Sequence, residues 1–497
     1  MKPFLLYEHH TFQHQIQTHD QVLMQDLQLE PLLRTMAQHD HYIYKTTMKI
    51  ILHTETNVNT LHYRQQIIKD GLKNPDFFTN IYSIASEIVA ESEIYQATMK
   101  PNYYMTVPIR EKFKTAITLL EVILTKLKDL RRLGKLNIHH CKSKGLTSLF
   151  NKLDKRYPDE LLSETNAHLQ LLQQMGEEVH LKIGARIGDG LKGSDFIIRD
   201  LLAQPPLSFR KKKLKSSGVS MFPNGLNEIK ETVFHKILGI VKRFVDECLD
   251  FCKLLRFETG FYVGCLHLHH VLTKRGFEIS FPVPESDSER TLFYNDLYDP
   301  VLAIHTGIQP VVNDLQADKS VQFVITGANQ GGKSTLLRSI GLAQLMMQCG
   351  LFVPATFYRA NLCDRIFTHF TREEDMHMIS GKLDEELLRL DQIMDDITPR
   401  SVLLLNEPFS STTEREGSLI ARDILSACYE VKLKVFIVTH FYELAKWAYM
   451  KKAEHAVFLS PERAYSGKRT FKLTYGEPES TSYGEDLFHH IIEKTHD

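Results

Sequence analysis

A chain of 497 residues is long enough to bury large cores, and its length predicts about two to four domains. With 43% hydrophobic and 24% charged residues it is not a disordered chain, and a formal net charge of −1 excludes a whole-molecule field for polyanions, so any nucleic-acid affinity has to come from local patches. Charges interrupt the N-terminus before a signal-peptide core forms, the apolar runs fall far short of the roughly 20 residues that cross a bilayer, and the seven scattered cysteines read as reduced thiols, which together predict a cytoplasmic protein without a membrane span.

Helical periodicity opens at Asp26 with Leu27, Leu29, Leu32, Leu33 and Met36, and it persists to about residue 280. Phe113, Ile117, Leu120, Leu124 and Leu127 alternate steps of four and three, the seam by which one long helix packs on another. A second seam runs through Val233, Ile237, Ile240, Phe244, Cys248, Phe251 and Leu255, so two long helices far apart in sequence imply antiparallel arms or a bundle. Between them residues 179–184 alternate, and Gly184, Gly188, Gly190 and Gly193 follow, which predicts a short β element. Cys248 and Cys252 lie four apart without a second pair, and His267, His269 and His270 have no acidic or cysteine partner at ligand spacing; both sets read as helix packing positions rather than metal sites.

Prolines and small polar residues at 281–289 end the helical pattern and divide the chain into a helical domain, residues 1–285, and a second domain, residues 290–497. Beyond the boundary, compact apolar runs at 321–326, 402–405, 435–438 and 456–459 alternate with helical segments, as buried strands of an α/β sheet do. The fold class expected is therefore multidomain, a mostly α-helical N-terminal core or lever region followed by an α/β domain, which the glycine-rich motif at 327–334 makes a P-loop nucleotide-hydrolase domain.

Directly after the apolar run at 321–326 stands Gly327-Ala328-Asn329-Gln330-Gly331-Gly332-Lys333-Ser334, which fits the phosphate-binding pattern G-x-x-x-x-G-K-[ST], and Thr335 leads on into a helix. Glycines let the backbone approach phosphate oxygens, the helix start adds N–H groups and its dipole, Lys333 supplies charge for the β- and γ-phosphates, and Ser334 is placed to ligate Mg2+. ATP and Mg2+ are the cofactors this implies, held by residues 327–335. About seventy residues on, the run 402–405 ends in Asn406 and Glu407. Asn406 occupies the place where an aspartate usually serves the metal, and its amide oxygen can still accept from magnesium-bound water; Glu407 is the candidate for orienting the attacking water. The run 435–438 delivers His440 to the same sheet edge, in a position to sense the γ-phosphate.

These elements resemble the ATPase domain of the MutS family of mismatch-repair and recombination proteins. The likeness runs from Thr326 through Arg338, which is similar to the family's T-G-x-N-x-G-G-K-S-T-x-L-R, and extends to Asn313-Asp314, to Phe352-Val353-Pro354-Ala355, to Asp364-Arg365-Ile366-Phe367-Thr368, to Ser380-Gly381, to Thr439-His440-Phe441-Tyr442-Glu443-Leu444 and to the Gly476 to Gly484 segment ending Ser482-Tyr483-Gly484. The resemblance is specific over residues 297–486 and weaker upstream, at residues 26–36 and at Tyr63-Arg64-Gln65. It implies an ATP-hydrolysing, DNA-binding homodimer with composite sites. Three departures stand out: Lys382-Leu383-Asp384-Glu385-Glu386 replaces the S-T-F-M-type signature, Asn406 replaces the acid, and no residues precede the helical core to form mismatch-reading and connector domains.

Residues 126–156 hold ten Lys or Arg against Asp129 and Asp154, and Arg210-Lys211-Lys212-Lys213-Leu214-Lys215 forms a second basic cluster. Either run is a DNA patch or simply a solvated face, and phosphate contacts alone would bind without sequence preference. The expected function is an ATP-driven DNA clamp; the alternative is a protein scaffold switched by ATP binding with weak or no hydrolysis, for which Asn406 and the altered signature speak. An unrelated ABC-type ATPase would need an LSGGQ-like segment, which the sequence lacks.

Overall fold

The computed structural model describes residues 1–13, 16–100, 107–175, 180–187, 193–202, 225–286, 290–327, 331–371, 381–451, 455–463 and 469–478. The chain opens with helices α1 (Thr18–Asp26), α2 (Glu30–Ala37), α3 (His41–Ile51), α4 (Val58–Lys73), α5 (Pro75–Met99), α6 (Ile109–Asn137), α7 (Lys144–Arg156) and α8 (Asp159–Met175). An antiparallel pair, β1 (His180–Ile187) and β2 (Gly193–Leu202), precedes the 50-residue helix α9 (Gly225–Lys274). Next come β3 (Val283–Glu285), β4 (Leu292–Leu297), α10 (Pro300–Thr306), β5 (Asn313–Gln316), β6 (Gln322–Ile325), α11 (Lys333–Gln348), β7 (Phe357–Asn361) and β8 (Ile366–Phe370). The last elements are α12 (Lys382–Asp396), β9 (Val402–Asn406), α13 (Glu414–Glu430), β10 (Lys434–Val438), α14 (Tyr442–Met450), β11 (Ala456–Arg463) and β12 (Arg469–Tyr475). The N-terminal part is thus helical and the C-terminal part a mixed α/β sheet region, and among the described residues no helix is long and apolar enough to cross a membrane.

Two compact units emerge, one of Met1–Leu5 with Asn74–Thr259, the other of Leu6–Lys73 with Gly260–Asp497. Their boundaries fall between residues 5 and 6, 73 and 74, and, inside α9, 259 and 260; Val283–Glu285, in the proline-bearing stretch, is a strand parallel to β7.

In the first unit the α6 seam is buried as its spacing requires: Phe113, Ile117, Leu120, Leu124 and Leu127 are all in the core. Gly134 lets α7 come close, since a Cβ there would lie 2.0 Å from Cδ1 of Phe150. The α9 seam read in the sequence holds in its second half, where Cys248, Phe251 and Leu255 are buried, and departs in its first: Ile240 is 62% exposed, and Phe234, Leu238, Val241 and Val245 are buried instead. In a helix apolar on more than one face two stripes satisfy the same spacing, and the choice falls to Phe234, whose ring meets Phe113 edge-on at 5.2 Å. Cys248 and Cys252 are therefore core residues, and burial raises both thiols, Cys248 to about 11.

The second unit carries two sheets. A six-stranded sheet runs β12-β11-β6-β10-β9-β8, parallel except for β12, and a four-stranded sheet runs β3-β7-β4-β5. Strands β6, β8 and β10 are buried along their whole length, as strands covered on both faces must be, which is why they read as unbroken apolar runs. At the start of β10, Lys434 is buried and donates to the carbonyl of Thr291 and the side-chain oxygen of Asn361. Burial, only partly offset by the Cys363 thiol, pushes its pKa down to about 7.

Candidate functional site

Strands β6, β10 and β9 lie side by side in parallel, with Val438 paired to Ile325 on one flank and to Asn406 on the other. That register brings the residues that follow all three strands to one edge of the sheet, the carboxyl end where open parallel sheets collect their ligands. Gly327, Gly331, Gly332, Lys333, Ser334 and Thr335 arrive there from the β6–α11 connection, Asn406 and Glu407 from β9, and His440 from β10. Ala328, Asn329 and Gln330 lie outside the described residues.

Two glycines in the connection are required by the protein itself. Gly327 has φ +113° and Gly332 φ +87°, both in the left-handed region. A Cβ on Gly327 would stand 2.4 Å from Cδ of Pro461, and one on Gly332 3.0 Å from the carbonyl oxygen of Phe471, so strands β11 and β12 crowd the turn. Gly332 caps α11 without a side chain, leaving the first-turn amides and the positive end of the helix dipole to whatever anion sits before them. Lys333 is nearly buried, and its Nζ donates to the Gly327 carbonyl at 2.7 Å, which folds the ammonium back across the turn.

Ser334 Oγ donates to Oδ1 of Asn406 at 2.8 Å, so the two candidate metal residues are in contact. Glu407 has φ +51° and Phe409 φ +63°, conformations that cost a side-chain-bearing residue about 1–2 kcal/mol each and that turn the chain away from the sheet. Several bonds hold the turn. Glu407 N donates to the Val438 carbonyl at 2.8 Å, and Thr371 Oγ1 donates to the carbonyls of Asn406 at 3.0 Å and Glu407 at 2.7 Å. The Glu407 carboxylate then stands 4.0 Å from Nδ1 of His440, and both side chains are partly open to solvent at 30% and 38% exposure.

Sequence reading missed a polar group behind this turn. Glu386 of α12, 4% exposed, accepts from Phe409 N at 3.0 Å and from Ser411 Oγ at 2.8 Å. Burial alone would raise its carboxyl, but His369 beside it and the bonds from Ser411 and Phe409 prevail and hold it below the usual carboxylate range. Its only sequence signal is a glutamate three residues before Arg389, one helical turn apart on the same face.

The basic run at 126–156 is partly consumed internally. Arg131 is buried between Asp154 and Asp159 at 2.5 and 2.6 Å, Lys135 joins both acids, Lys126 pairs with Glu87 and Arg156 with Glu247, while Arg132, Lys152 and Lys155 are exposed. The cluster at 210–215 and the closing Ser482-Tyr483-Gly484 segment lie outside the described residues. His267 and His269 are half-buried on α9, with His267 Nδ1 2.8 Å from the Met36 carbonyl.

The arrangement fits a magnesium-bound triphosphate. An uncapped helix start and an ammonium suit phosphate oxygens, and the hydroxyl and amide oxygens of Ser334 and Asn406 are hard donors of the kind magnesium takes.

Comparison with known proteins matches residues 56–275 to the MutS2 N-terminal domain and residues 323–485 to MutS domain V. A DNA mismatch repair protein MutS of Caldanaerobacter subterraneus subsp. tengcongensis is 26% identical over 250 residues, 49% of this chain and 29% of that protein. MutS protein homolog 4 of Mus musculus is 26% identical over 252 residues, 47% of this chain and 26% of the relative. A MutS of Methanothrix thermoacetophila is 34% identical over 193 residues, 38% of this chain and 22% of the relative. The matched stretches thus span less than a third of these relatives' lengths. With one family domain matched in its helical part and a second across the sheet edge just described, this chain belongs to the MutS family.

Proposed function

We propose that this chain is an ATP-dependent DNA-binding protein of the MutS type, which couples ATP binding and hydrolysis to DNA engagement in mismatch repair or recombination-related processing. The observation that carries the reading is the convergence of Lys333, Ser334, Asn406, Glu407 and His440 at the carboxyl ends of three adjacent parallel strands. Residues 290–497 are read as the P-loop ATPase domain and residues 1–285 as the helical core.

In this reading residues 327–335 cradle the phosphates, and Lys333 leaves the Gly327 carbonyl for the β- and γ-phosphates. Ser334 and Asn406 would hold the metal, which would supply positive charge against that of the triphosphate. Glu407 orients the attacking water, and His440, close to it, responds to the presence of the γ-phosphate. Relatives named for DNA mismatch repair support the DNA side of the proposal. Exposed Arg132, Lys152 and Lys155 offer contacts to backbone phosphate. The assembly proposed is a homodimer.

A second reading follows from Asn406, a neutral amide in a place where a carboxylate would bind magnesium more tightly: ATP binding without efficient turnover switches a protein scaffold. Steady-state ATP hydrolysis, with and without duplex DNA, decides between them. The first reading expects turnover that DNA stimulates; tight ATP binding with negligible turnover and no DNA binding favours the second, and absence of nucleotide binding defeats both.

A further inference from the structure

The turn that presents Glu407 is unusual in its backbone, because two residues with side chains, Glu407 and Phe409, adopt left-handed φ within three positions. Thr371 and the β10 edge fix its first half through Asn406 and Glu407. Its second half is held from α12. Glu386 accepts from the backbone of Phe409 and the hydroxyl of Ser411, using both carboxylate oxygens.

The carboxylate has a buried neighbour. His369 of β8 is fully buried, with Nε2 3.6 Å from Oε1 of Glu386 and Nδ1 3.3 Å from an Arg389 nitrogen. A guanidinium has donors only, so Nδ1 accepts and the imidazole proton sits on Nε2, facing the carboxylate. Arg389 is in turn anchored on the Phe370 carbonyl at 2.9 Å. Glu386 and Arg389, one helical turn apart, thus flank His369, and Glu386 presents a charged acceptor to the turn through the bonds from Phe409 and Ser411.

We propose that Glu386 is the positioning residue of the Glu407 turn: through Phe409 and Ser411 it holds the Glu407 carboxylate in place beside His440, so that a displacement of α12 is felt at the site. This rests on the reading of Glu407 as the group that orients water, and it adds a residue from an element that contributes nothing directly to the sheet edge.

The test uses the full chain carrying Glu386→Ala or Glu386→Gln, with two readouts. The first is hydrogen exchange of the segment 407–412 against that of β9 and β10. Expected is faster exchange of 407–412 in Glu386→Ala with both strands unchanged, and an intermediate rate in Glu386→Gln, which keeps an acceptor oxygen. The second splits turnover from affinity: kcat falls about tenfold to a hundredfold in Glu386→Ala, the effect of a slightly misplaced group, while affinity for a non-hydrolysable ATP analogue is unchanged. Unchanged exchange, unchanged kcat, or loss of affinity in step with kcat overturns the proposal. Should the unaltered chain show no turnover, the hydrolysis reading fails by itself, and the exchange comparison still decides whether Glu386 holds the turn.

Discussion

The two units handle backbone strain differently. Among the described residues, eleven residues other than glycine have positive φ, and all but Phe4 lie in the sheet-bearing unit; the five glycines with positive φ lie there as well. The first unit satisfies its backbone within its helices and the β1–β2 ladder and stores its stability in side-chain seams. The sheet-bearing unit has to reverse direction after helices as well as strands, and left-handed residues stand at such turns, among them Gln38, Gly307 and Gly350 after helices and Gly327 and Glu407 after strands. Stability in the first is a matter of packing, whereas in the second the same atoms that close the fold also shape the candidate site.

The sharpest way to break this contrast is Lys333→Ala. Turnover of ATP is expected to fall by about a hundredfold to a thousandfold, the range seen when one charge-stabilising donor is removed, while the thermal unfolding midpoint changes little. A variant that hydrolyses ATP normally would detach the β6–α11 turn from the chemistry altogether.

Leu127→Ala tests the other side. Leu127 is fully buried on α6, and truncation is expected to cost about 2–5 kcal/mol in chemical denaturation, leaving affinity for nucleotide intact at temperatures where the chain stays folded. Loss of nucleotide affinity in the folded variant would show that the units do not divide labour as their backbones suggest.

Lys434 sharpens the comparison within the sheet-bearing unit. Its folded pKa of about 7 lies below that of an unfolded lysine, so between the two the unfolded chain binds more protons and stability rises with pH. Where the folded amine is neutral and the unfolded one charged, the slope approaches about 1.4 kcal/mol per pH unit. Denaturation measured from neutral to alkaline pH should show this rise in the unaltered chain and a flatter profile in Lys434→Met.

The smallest effect expected is that of Asn406→Asp. Restoring a charge beside Ser334 should tighten magnesium binding and raise turnover severalfold, on the order of 1 kcal/mol, measured as the magnesium dependence of hydrolysis. No gain would indicate that the amide suits a chain whose task is to bind rather than turn over.

Periodicity and apolar runs were enough to read the α6 seam and the strands at 322–325, 402–406 and 434–438, since each is a local pattern with one way to bury itself, and the alternation at 179–184 marked a short β element where β1 stands. The α9 seam was legible only from Cys248 onward, because more than one stripe of its first half could serve. Phe113, more than a hundred residues away, made the choice. The candidate site divides in the same manner. Lys333, Ser334, Asn406, Glu407 and His440 were marked by their places after apolar runs, and register brought them together. Thr371 and His369 carried no mark and Glu386 only its spacing to Arg389, for their roles are defined by what lies across from them in space. Pro461 and Phe471, likewise, gave no sign that they would crowd Gly327 and Gly332.

What the sequence determined by itself, then, is whatever a residue does with near neighbours in the chain: helices, buried strands, a glycine turn opening a helix, and family membership through those motifs. What the tertiary structure alone decided is partnership between distant segments, such as the division of the units inside α9, the burial of Lys434 and the hold of α12 on the Glu407 turn. The physical reason is that burial and alignment belong to pairs of surfaces, so a side chain's protonation, orientation and role are set only when the second surface arrives.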